Sequence, residues 1–190
     1  GTIGMDNPAQ AIRNAREDIK KAASVRATFG SYEAALEDVE AERVIKSSPK
    51  FIDDHLWGWT PAEKKAGSIN GSRMNEIDEQ RRAFVEGYRD VLPEPNTLSD
   101  VVREFVYWDW LYSVRHTATK EQGYEFGYSE HHESVYDRER YLEKLLAAIK
   151  PVTRVEAVEV CHWFLDSGKD EFMEDHGAAV ILNLVGECEE

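Results

Sequence analysis

Between Pro95 and Pro151 two long helical patterns follow one another, and this stretch limits the chain to a helix-built body. Thr97 with Asp100 three residues later fits a capping box, in which each side chain satisfies a free backbone N–H at a helix start. The run Leu98, Val101, Val102, Phe105, Val106, Trp108, Trp110, Leu111, Tyr112 and Val114 is apolar on most sides at helical spacing, which predicts a helix inside the domain. Asp109 stands between two tryptophans. It reads as a polar edge facing water or an Arg, with a functional acid of raised pKa as the sharper alternative, because burying an unpaired carboxylate costs several kcal/mol.

Beyond Lys120, Gly123 to Tyr128 reads as an ordered loop, and Ser129 as the cap of a helix with Glu130 and Glu133 in its first turn. That helix sets Val135, Leu142, Leu145, Leu146 and Ile149 on one face and stops at Pro151. An antiparallel pair joined by a short loop is the simplest result.

Upstream, Pro8 opens an amphipathic helix carrying Ala11, Ile12, Ala15, Ile19, Ala22, Ala23 and Val25, closed by Gly30. Ser31 and Glu33 open a second, with Tyr32, Leu36, Val39 and Val44. Thr60, Pro61 and Glu63 start a short helix, and Gly67 to Ser72 is a flexible turn without the lysine or spacing of a phosphate-binding loop. Helix resumes from Asn75 to Val91 with Ile77, Phe84, Val85 and Tyr88 inward.

Past Pro151 two periods compete. Val155, Val158, Cys161, His162 and Leu165 suit a helix, while Val158, Val160, His162 and Phe164 alternate like a strand, and Ala178 to Val185 is similarly ambiguous. Ser167 with Asp170, a capping box before Phe172 and Met173, tips both segments to helix, with a terminal β-hairpin as the rival. The fold expectation is a mainly α, single-domain bundle of about six to eight helices over residues 5–190. The Gly-Thr-Ile-Gly before Met5 reads as an expression remnant.

Of the 190 residues, 42% are apolar, enough for a core, and no apolar run reaches bilayer length. Two cysteines, Cys161 and Cys188, make neither a disulfide framework nor a paired metal motif, which favours a reduced, cytoplasmic setting. The net charge of −14 is uneven: residues 151–190 hold two Lys or Arg against ten Asp or Glu. Direct nucleic-acid binding through phosphates has no basic footprint here.

His116, His131 and His132 with Glu125 form the densest set of candidate metal ligands, to which Glu121 and Glu130 add carboxylates. Their spacing matches no specific ligand pattern, and histidines at the surface or at helix ends explain the same letters. Glu159 and His162 give one Glu-x-x-His, where a di-iron bundle needs two plus further glutamates. His55 and His176 are acidic-flanked histidines of no defined class. No nucleophile elbow, Walker loop or dinucleotide fingerprint occurs.

The sequence therefore favours an interaction module without a cofactor, whose Asp166, Asp170, Glu171, Glu174 and Asp175 meet a basic partner surface. A sharper form is a nucleic-acid mimic, by analogy of composition with small acidic phage or mobile-element inhibitors of nucleic-acid-handling enzymes. Its charge equals that of roughly 24 Å of duplex. The alternative is a helical hydrolase using a divalent metal at His116, Glu125, His131 and His132. A third reading is self-association through Trp57 and Trp59.

Overall fold

The computed structural model describes residues 8–123, 130–169 and 177–186. Among them every regular element is a helix: seven α-helices have eight residues or more, and two are shorter. The expected helical bundle is therefore present, and the β-hairpin rival is not realised at residues 154–166 or 177–185. No helix among the described residues is long and apolar enough to cross a membrane. The chain divides into two compact units, residues 1–38 with 108–130 and residues 39–107 with 131–190.

The first unit contains α1 (Pro8–Phe29), α2 (Tyr32–Leu36) and the latter part of α6 (Leu98–Glu121). Gly30, at φ +83°, closes α1 with its N–H on the Arg26 carbonyl, and the Ser31 hydroxyl accepts from the Ala34 N–H at 3.1 Å. Val25, Ala35, Val114 and Ala118 form one core cluster, flanked by Phe29, Tyr32 and Leu36. The expected amphipathic face of α1 is only partly used: Ala22 and Val25 are buried, whereas Ala15 and Ala23 are exposed and Ile19 is 69% exposed. The side chains of Ala11 and Ile12 lie outside the described residues.

The second helix stops at Leu36 instead of reaching Val44. Arg115 donates to the Glu37 carbonyl at 3.0 Å, occupying the acceptor that a continuing helix would offer to residue 41. A new helix, α3 (Glu40–Ser47), begins after Val39, whose N–H is taken by the Glu42 carboxylate at 2.9 Å.

The second unit holds α3, α4 (Pro61–Ala66), α5 (Gly71–Val85), a 3₁₀ turn at Glu86–Tyr88, the start of α6, α7 (Glu133–Ala148), α8 (Arg154–Asp166) and α9 (Gly177–Val185). Its core gathers Ile45, Val85, Tyr88, Leu98, Val101, Phe105, Val135, Leu142, Leu146, Phe164 and Val180. Thr60 and Glu63 cap α4 reciprocally, as expected. The turn after it is shorter than expected, because the Asn70 side chain accepts from the Arg73 N–H at 2.8 Å and starts α5 at Gly71.

That helix ends at Val85, not Val91, where Glu86, Gly87 and Tyr88 all adopt left-handed backbone, at φ 47°, 61° and 55°. Gly87 is the one residue type that fits, since a Cβ there would fall on the Tyr141 side chain. Phe84, expected inward, is 45% exposed and lies against Trp57, with ring centroids 5.8 Å apart.

In α6 the Thr97 and Asp100 capping box is present, at 3.2 and 3.1 Å. Burial follows one stripe, Leu98, Val101, Phe105, Trp108, Leu111, Val114 and Ala118, while Val106, Trp110 and Tyr112 are exposed by two-fifths or more. The helix is thus not enclosed on all sides, and Asp109 sits on its exposed side. The cap of α7 is His132, whose Nδ1 accepts from the Ser134 N–H at 3.2 Å, so Glu130 falls outside the first turn. Ser129 and the loop from Tyr124 lie outside the described residues.

Asn183 of α9 donates to the Leu146 and Ile149 carbonyls, satisfying the end of α7. Thr153 caps α8, and the Ser167 hydroxyl donates back to the Phe164 carbonyl as that helix ends. Asp170, Phe172 and Met173 lie outside the described residues.

Candidate functional site

Two buried guanidinium–carboxylate pairs join helices of the second unit. Arg138 has no exposed surface; its guanidinium makes a two-pronged pair with Glu104, at 2.7 and 2.9 Å, and donates to the Gly87 and Pro93 carbonyls. Arg81 pairs with Asp137 at 2.8 Å, and Arg140 reaches the other Asp137 oxygen at 3.3 Å. Burial pushes the Asp137 carboxyl above its ordinary range against the pull of Arg81. Tyr88 is pushed up to about 12 by burial and then by the charge of Asp137. These groups tie α5, α6, α7 and the left-handed turn together, and the geometry assigns them to structure.

Outward from Arg138 lies a groove of about 500 Å³ lined by Pro93, Glu94, Pro95, Asn96, Asp100, Arg103, Glu104 and Tyr107. Three carboxylates face one guanidinium along it. Glu94 accepts from the Tyr141 hydroxyl, Asp100 pairs with Arg103 at 2.9 Å, and Glu104 holds Arg138. The Thr97 hydroxyl, with backbone N–H groups of Asn96 and Thr97, keeps the Asp100 carboxyl below its usual range despite some burial.

A second acidic region lies on α8. Glu159 and His162 are both exposed on it, as is Asp166 at its end. Asp166 is the one member of the expected partner-binding set that the structure describes; Asp170, Glu171, Glu174 and Asp175 lie outside the described residues. Glu156 is instead buried, accepting from the Val152 N–H and from both the N–H and the hydroxyl of Ser99.

The expected metal ligands are distributed over both units. His116 is exposed in the first unit, and Glu125 lies outside the described residues. In the second, His131 is buried with its ring edge-on to Tyr136, and His132 uses Nδ1 as a helix cap while Nε2 lies 3.6 Å from Asp53. Among the described residues no group of three or more His, Cys, Asp or Glu side chains is placed to hold a metal ion. Cys161 is a half-buried free thiol.

The residues missed in the sequence are Glu94 and Glu104 of the groove and the buried Arg81, Asp137 and Arg138. Local pattern carried no signal for them, because Arg138 meets Glu104 and Gly87 across 34 and 51 positions. No protein-family model matches the chain, and no curated protein or solved structure matches it either.

Proposed function

We propose that this chain is an acidic docking protein for a basic protein surface, acting in a reduced cytoplasmic setting, with nucleic-acid mimicry toward a nucleic-acid-handling enzyme as its sharper form. One observation carries the reading. The second unit holds 16 Lys or Arg against 27 Asp or Glu, and two of those cations, Arg81 and Arg138, are turned inward onto carboxylates. Asp53, Glu159 and Asp166 are among its exposed carboxylates, and seven more Asp or Glu fall in residues 170–176 and 187–190, outside the described residues. Such a surface accelerates encounter with a basic partner and repels acidic ones.

Titration of the labelled chain against a panel of purified basic nucleic-acid-binding proteins tests the proposal, at about 50 mM and about 500 mM salt. The expected result is binding that weakens at least tenfold at high salt, with duplex DNA competing for the same partner. No binding to any basic protein at low salt would remove the reading. Binding without DNA competition would retain the docking protein and discard mimicry.

A further inference from the structure

Helix α8 is apolar on two opposite sides. Ala157, Val160 and Phe164 are buried in the second unit, while Val155, Val158 and Leu165 on the other side are 66%, 46% and 51% exposed. At 100° per residue these three fall within about 80° of arc on the outward side, with the exposed His162 inside the same arc. Exposed apolar side chains gathered on one helix face mark a candidate contact surface. Along one edge of the stripe stand the exposed carboxylates Glu159 and Asp166.

The charge around the stripe selects its occupant. Glu159 and Asp166 are exposed beside the stripe, so a second copy of this face packed on it would set these carboxylates against their own like. A complementary occupant carries apolar side chains at helical spacing, bordered by Lys and Arg. We propose that the outward face of α8 receives an amphipathic basic helix of the partner, Val155, Val158 and Leu165 taking its apolar side and Glu159 and Asp166 its cations. This deepens the acidic-docking reading and rests on it.

Two synthetic peptides of about 18 residues, five helical turns, provide the test. Both contain Leu and Lys only; one segregates Leu on a single helical face, the other has the same composition scrambled. Binding is followed by fluorescence anisotropy. The segregated peptide is expected to bind at least tenfold more tightly than the scrambled one. The triple variant Val155→Ser, Val158→Ser, Leu165→Ser is expected to erase that difference with helicity unchanged, and Glu159→Gln with Asp166→Asn to weaken both peptides. Equal, salt-sensitive affinities for the two peptides would overturn the docking stripe and leave the acidic reading standing. Binding of neither at low salt would overturn both. A dimer of the wild-type chain in analytical ultracentrifugation, abolished in the triple variant, would assign the face to a second copy and overturn the proposal. The peptide comparison needs only the wild-type chain, so it decides the matter even where a variant folds poorly.

Discussion

Residues 1–38 and 108–130 bury Val25, Ala35, Val114 and Ala118 together with Trp108 and Leu111, whereas residues 39–107 and 131–190 enclose Phe105, Phe164 and Tyr88 together with two guanidinium–carboxylate pairs. Charge separates the units as well. The first has seven Lys or Arg against ten Asp or Glu, a net of −3, and the second a net of −11. In the first unit the buried Arg115 closes α2 by donating to a backbone carbonyl, that of Glu37. In the second, guanidinium–carboxylate pairs join α5 and α6 to α7, so each is costly to break and specifies which helices meet. In the more acidic unit, buried arginines paired with carboxylates hold the architecture.

The largest expected effect tests that difference directly. Arg138→Met leaves Glu104 and the Gly87 and Pro93 carbonyls without their buried donor, and we expect a loss of about 3 to 5 kcal/mol in urea unfolding. The added change Glu104→Leu is expected to recover part of it, because a removed pair costs less than a broken one. A loss below about 1 kcal/mol from the single substitution would erase the distinction between the units.

Next comes alkaline pH. Tyr88 ionises at its ordinary 10.0 in the unfolded chain but near 12 when buried. Its folded value is raised, so the stabilisation is complete below pH 10 and is lost as pH rises through the folded value. The loss is about 2 to 3 kcal/mol over that window. Tyr88→Phe should flatten this part of the stability curve, and an unchanged curve would place the alkaline loss elsewhere.

Which of these features the sequence announced follows from the range of the interactions involved. Caps made within three residues were readable: Thr97 with Asp100, Thr60 with Glu63, and Ser31 after Gly30. The break after Leu36 was not, because the group that enforces it, Arg115, is 78 positions away from Glu37. Periodicity also misled where a helix is apolar on two sides. In α8, Val158 and Val160 fall on opposite faces, and the resulting alternation imitates a strand. In α6, the aromatic run suggested burial all round, yet Trp110 and Tyr112 are each 42% exposed. Composition announced the acidic character, but which carboxylates work as structure depends on the fold: Glu156 caps the start of α8 and reaches Ser99, far from any partner role.

Glu156 supplies a smaller effect of opposite pH sign. Burial alone would raise its carboxyl, but hydrogen bonds from the Val152 N–H and from Ser99 outweigh it and hold the group below its ordinary 4.5. A lowered folded value means the stabilisation is present above about pH 4.5 and is lost as pH falls through that folded value. We expect Glu156→Gln to cost about 1 to 2 kcal/mol at neutral pH and to flatten the acid side of the curve.

The smallest effect belongs to the first unit and sharpens the contrast by its absence. Lys120 meets Asp18 at 2.8 Å, and their hydrogen bond and attraction lower the Asp18 carboxyl and raise the Lys120 amine. Both side chains are about half exposed, so water and salt screen the pair and the flexible lysine loses entropy in holding one geometry. The short distance therefore does not translate into stability. Lys120→Met should leave the melting temperature within error of the unsubstituted chain at any salt concentration. A fall in melting temperature that grew at low salt would show a surface pair holding the first unit together, and would bring the two units under one electrostatic rule.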